Sequence, residues 1–104
     1  MTANEFRHMA LVFPGATEAN HMNHPDFRVS GKIFATLGYP NKEWGMVKLT
    51  VEQQSQVVKE APKAFVPAKG AWGLKGGTNV NLRSVTKKTL SKALEMAWSN
   101  IALK

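Results

Sequence analysis

Two stretches of the chain carry residue types that could do chemistry. The first is KAFVPAKGAWGLKGGTNVNLR, Lys63 to Arg83, where four glycines, a tryptophan and several lysines are interleaved. A nucleotide cradle needs glycine-rich backbone running straight into a helix N-terminus, as in G-x-x-x-x-G-K-[ST], so that N–H groups and the helix dipole meet the phosphates. Here Lys75 follows Gly70 by five places, and Gly76, Gly77 and Thr78 run into a strand pattern, which excludes that chemistry. G-x-G-x-x-G is absent too, because Gly70, Gly73, Gly76 and Gly77 never stand two apart with the right sequel. GAWG and GLKG match the GXXG loop of KH domains, but that loop joins two helices, and the flanks here hold strand signals and Pro67. The stretch keeps Lys63, Lys69, Lys75 and Arg83, which can reach phosphates, on a flexible glycine-rich connection between two strands. Its indole, Trp72, can stack on a base. The expectation is instead that Trp72 folds back over the sheet edge as a satellite of the core.

The second stretch is HMNHPD, with His21, His24 and Asp26. Closed structural zinc sites commonly take four ligands including cysteine, and the chain has no cysteine, so the three read as ordinary polar loop residues with no metal. Nucleophilic catalysis needs a serine or threonine beside a base and an orienting acid. Serine, histidine and aspartate are present, but nothing in their spacing joins them. The expectation is a non-enzyme without cofactors.

These residues must be positioned by a small set of elements. Phe6, Met9, Ala10 and Phe13 recur at helical spacing until Pro14 and Gly15 stop the run. FRVSGKIFATLG reads as a hairpin turning at Ser30 and Gly31, and GYPN as a further turn. WGMVKLT alternates Val47 and Leu49 inward against Lys48 outward, and ends on Thr50, an N-cap with Gln53 three residues on. The helix VEQQSQVVKEA follows and is closed by Pro62. AFVPA and TNVNL read as strands, with Val80 and Leu82 inward and Asn79, Asn81 and Arg83 sharing the outward side. From Thr86, Leu90, Ala93, Leu94, Ala97, Trp98 and Ile101 hold helical spacing, with Trp98 in the core. The order helix, strands, helix, strands, helix predicts an α+β fold, an antiparallel sheet of five or six strands in two layers with its helices.

The chain has 104 residues, 43% of them hydrophobic, enough for one core and one domain spanning 1–104. The longest apolar run, Met9 to Phe13, is far short of a membrane span, and the N-terminus lacks a signal-peptide pattern. Together with the absence of cysteine, this fits a cytoplasmic protein. Net charge is +7, and it is unevenly spread. Through Glu60, six bases balance six acids; from Ala61 onward eight bases meet only Glu95. A basic half of this kind fits a polyanion such as nucleic acid. Lys87 and Lys88 open the last helix, where the dipole favours acids at about 0.3–1 kcal/mol each, and Lys88 and Lys92 form a like-charge pair one turn apart. A phosphate docked there would relieve the dipole cost.

GATEANHMNHPDFRVSGKIFATLG, VKLTVEQQ, GAWGLKGGTNVNLRSV and LSKALEMAWSN resemble the MmcQ/YjbR family of small bacterial proteins, over nearly the whole chain. The most specific pieces are Phe27 with Gly31, Lys32 and Phe34, then Trp72, then Ala97 with Trp98. The resemblance implies a two-layer α+β fold similar to type III secretion chaperones and a double-wing DNA-binding shape. It implies no catalytic or metal residues.

The reading of the sequence is therefore an electrostatic, largely sequence-nonspecific DNA-binding protein. Its contacts are expected from Lys63, Lys69, Lys75, Asn79, Asn81, Arg83, Lys87, Lys88 and Lys92. The competing expectation is a protein-interaction or chaperone-like module, with a protein partner or a homodimer and an exposed apolar face.

Overall fold

Three threonines start three of the helices. Thr2 caps α1 (Ala3–Leu11) and Thr50 caps α2 (Val51–Glu60), each in a reciprocal box with Glu5 and Gln53 respectively. Thr86 accepts the Thr89 N–H at the start of the longest helix, α4 (Lys87–Ala102). Between α2 and α4 lies a further short helix, α3 (Gly70–Leu74). The computed structural model describes all 104 residues.

Six strands complete the chain: β1 (Thr17–His21), β2 (His24–Val29), β3 (Lys32–Leu37), β4 (Trp44–Lys48), β5 (Phe65–Pro67) and β6 (Gly77–Asn81). They form one sheet in the order β1-β2-β3-β4-β6-β5, antiparallel at every pairing. The α+β architecture expected from the sequence is present, with six strands and four helices.

Both early hairpins turn through two residues at positive φ, Met22-Asn23 (49° and 67°) and Ser30-Gly31 (53° and 76°), the type I′ arrangement that matches strand twist. The first was not expected. Met-Asn lacks the Asn-Gly signature; Pro25 has no N–H to give a ladder, but it lies one residue outside the first β2–β3 partner pair, Asp26 with Thr36, so no rung between those strands is lost. Within β2–β3 the register shifts between Phe27 and Arg28, leaving Phe34 unpaired, and both Phe34 and Ala35 are buried.

The register assigns the two faces of the sheet. Phe27, Ala35, Val47, Val80 and Phe65 share one face and join Phe6 and Ala10 of α1, Val57 of α2 and Leu90, Ala93, Leu94 and Ala97 of α4 in a single core. Gly45 lies on this face, where a Cβ would come within 3.0 Å of the Phe6 ring and of the Thr36 carbonyl, so its lack of a side chain admits that phenylalanine. Trp98 is half-buried: its ring stacks on Phe13 and its indole N–H donates to the Pro14 carbonyl at 2.9 Å. No helix except α3, which lies against its Lys48–Gly77 end, covers the opposite face, which carries Asp26, Thr36, Trp44, Met46, Lys48, Val66, Asn79 and Asn81. No helix is long and apolar enough to cross a membrane.

Candidate nucleic-acid interface

The glycine-rich stretch is not a flexible connection. It holds α3, and its glycines are sites of close backbone approach. A Cβ on Gly73 would lie 1.7 Å from the Ala68 carbonyl oxygen, and one on Gly77 would lie 2.8 Å from that of Trp72. Gly76 has φ +107° and presses on the Leu49–Thr50 backbone, while its carbonyl accepts the Leu49 N–H at 3.3 Å. The buried Gln54 side chain reaches across from α2, its amide donating to the Gly73 and Gly77 carbonyls at 3.0 and 2.9 Å. Gln54→Ala would leave both carbonyls without that donor, so we expect a loss of about 1–3 kcal/mol in chemical denaturation.

This framework holds Trp72 outward. The residue is 51% exposed, against the expectation that it folds back over the sheet, because Gly73, and not the tryptophan, faces inward from this turn of helix. The Lys48 ammonium stands 5.6 Å from the centre of the indole, a cation–π distance. Lys48, Ala71, Trp72, Lys75 and Gly77 line an open hollow of about 270 Å³. Lys48 comes from the charge-balanced half of the chain and was missed in the sequence. Its outward position in the β4 alternation was legible; its pairing opposite Gly77 was not.

The other candidates fall into separate places. Asn79 and Asn81 lie on the helix-free face, opposite Met46 and Trp44. Lys69 precedes α3 and is exposed. Lys63 and Arg83 lie toward the other end of β5 and β6. Arg83 does not continue the Asn79–Asn81 row, since β6 ends at Asn81, whose side-chain oxygen accepts the Arg83 N–H in a turn. Its guanidinium pairs with Glu43 at 3.5 Å. On α4, Lys87 pairs with Glu5 at 3.2 Å and Lys92 with Glu60 at 3.9 Å, while Lys88 has no ion pair. Glu5, which α1 holds in its own N-terminal box, therefore supplies the negative charge that the first turn of α4 lacks. Its carboxyl is held below the ordinary range by the Thr2 backbone N–H first and by Lys87 next.

The histidines and aspartate of HMNHPD are not plain loop residues. Asp26 is fully buried on β2, and both of its oxygens are taken. Arg28 donates through Nε to Oδ1 at 2.8 Å and through Nη2 to Oδ2 at 3.1 Å, while His21 Nδ1 donates to Oδ2 at 2.7 Å. These bonds, that of Arg28 foremost, hold the carboxyl below its usual range against the opposing effect of burial. His24 instead meets Tyr39 edge-on, with ring centres 5.9 Å apart. The arrangement satisfies a buried charge and leaves no free carboxylate on this face.

A YjbR family model matches residues 11–100. The chain belongs to the YjbR family. The fold of this YjbR protein is also that of a Deinococcus radiodurans protein, DR2400, whose crystal structure is described as domain DUF419. The likeness has a TM-score of 0.82 at 16% identity and covers 99% of this chain and 80% of that one, so it speaks for the fold alone. No curated protein matches the sequence.

Proposed function

We propose that this YjbR protein is a non-enzymatic nucleic-acid-binding protein, and that its contact surface is the helix-free sheet face together with the α3 corner. The observation that carries this reading is the meeting of Lys48, Trp72 and Lys75 around one open hollow, beside the outward amides of Asn79 and Asn81. Ammonium groups supply the sequence-independent attraction to phosphates, and amides supply hydrogen bonds to sugar, phosphate or base edges. The one acid on the strands of this face, Asp26, is neutralised by Arg28 and buried, so nothing there opposes a polyanion. By contrast, Lys87, Lys92 and Arg83 already have acidic partners and gain less from a phosphate.

The test replaces Lys48, Lys69 and Lys75 with glutamine and titrates labelled oligonucleotides across salt concentrations. Each phosphate contact contributes roughly −0.7 to −0.9 to the slope of log affinity against log salt, so losing three should flatten it by about 2 to 3. A matched Lys87→Gln, Lys92→Gln variant should change the slope far less. An unchanged isotherm in the first variant would exclude this surface.

A further inference from the structure

Resting on that reading, we infer that the helix-free face takes single-stranded nucleic acid in preference to duplex, with Trp72 as a base-stacking residue. Trp72 is half in solvent although the Lys48 ammonium stands by its ring, so an aromatic surface beside a cation is left available at the rim of the sheet. Along β4, Trp44 shares the face with Lys48 four residues away, about 13 Å at strand rise. On the neighbouring β6 row Asn81 stands opposite Trp44 and Asn79 one step nearer the Trp72 end, and Asn81 spends its oxygen on Arg83, which leaves its NH₂ to donate outward. A half-exposed indole with ammonium groups beside it at one end of the face, and amides leading to a second, half-buried indole at the other, match what unpaired bases require: a π-surface, edge contacts and backbone neutralisation.

A duplex offers this surface little. Its base faces are stacked on one another, so an outward indole finds no partner, and a major groove is read by a helix or a two-stranded ribbon that enters it. Of the helices that could do so, α3 has five residues, and on α4 only Lys88 lacks an acidic neighbour, Lys87 and Lys92 standing beside Glu5 and Glu60. The match of chemistry is therefore to the unpaired strand, of either sugar.

The experiment measures anisotropy of the full chain with a mixed-sequence single strand and with its own duplex, in DNA and in RNA, at one low salt concentration. The expected result is tighter binding to the single strand by roughly tenfold or more in at least one sugar series, with quenching of tryptophan fluorescence. Trp72→Ala should lose roughly five- to a hundredfold for the single strand and little for the duplex, the worth of one base–aromatic stack, and Trp72→Phe should recover most of it. Because Trp72 is half-exposed, the alanine variant should keep its fold, which circular dichroism verifies. Equal affinity for both forms, or an equal loss on both in Trp72→Ala, would overturn the single-strand preference while leaving the electrostatic reading standing. No binding to any of the four ligands would overturn both.

Discussion

Gly76→Ala is expected to destabilise the protein by about 3 kcal/mol or more, and Gly73→Ala by a similar amount, although neither adds more than a methyl group. At Gly76 two costs coincide. An L-residue at φ +107° is strained, and its Cβ would stand 2.1 Å from the Leu49 carbonyl oxygen and 2.8 Å from the Leu49 and Thr50 carbonyl carbons. Backbone cannot swing aside as a side chain can, and this backbone is the junction between β4 and the Thr50 cap of α2. Gly73 has no positive φ, so its cost is contact alone: a Cβ 1.7 Å from the Ala68 oxygen, which would also pull its carbonyl from Gln54. Gly70 is the control. It has φ +69° with nothing within 4 Å of a Cβ, so Gly70→Ala should cost only the torsional penalty, about 1 kcal/mol. Denaturant midpoints should therefore rank Gly70→Ala well above the other two. Three equal midpoints would mean that the close packing of α3 is not what holds the Lys48–Trp72 corner.

The second large effect lies at Asp26. Asp26→Asn should cost about 2–3 kcal/mol at pH 7, because it removes the charge from three charge-assisted bonds and leaves Arg28 facing a neutral, buried amide. The pH dependence follows in sign from the lowered carboxyl. A group whose folded value lies below its unfolded one contributes its full stabilisation above the unfolded value, near 4, and loses it as the pH falls through the folded value. The wild type should thus lose stability below about pH 4 more steeply than Asp26→Asn, and the gap between them should narrow with acidification. Urea titrations at pH 7 and at steps between about pH 4 and 2 measure this. Parallel curves would show that Asp26 titrates alike in the folded and unfolded chain.

Much of the framework was legible because local rules fix it. The Thr50–Gln53 box, the Ser30-Gly31 turn and the Leu90–Ala97 stripe each depend on residues within one or two turns of each other, and all three are present. The β1 strand was not legible. Its polar sequence TEANH has no alternating apolar side, and it is a strand because β2 offers it an edge. α3 escaped for a related reason: five residues with two glycines carry little helix propensity, and Gln54 and the Ala68 carbonyl, distant in sequence or invisible in composition, decide its packing.

The charge count had the same limit. The sequence by itself determined the two-layer α+β plan, the apolar stripes that meet in one core and an excess of positive charge after Ala61. It could not determine which of those charges are free, since Lys87, Lys92 and Arg83 find Glu5, Glu60 and Glu43 only when α1, α2 and the turn before β4 are brought beside them. Tertiary structure also carried Lys48 across to Trp72 through the β4–β6 pairing, and turned outward a tryptophan that composition alone would bury. Charge and hydrophobicity are properties of residues, but a binding surface depends on which residues become neighbours, and that is set by long-range register.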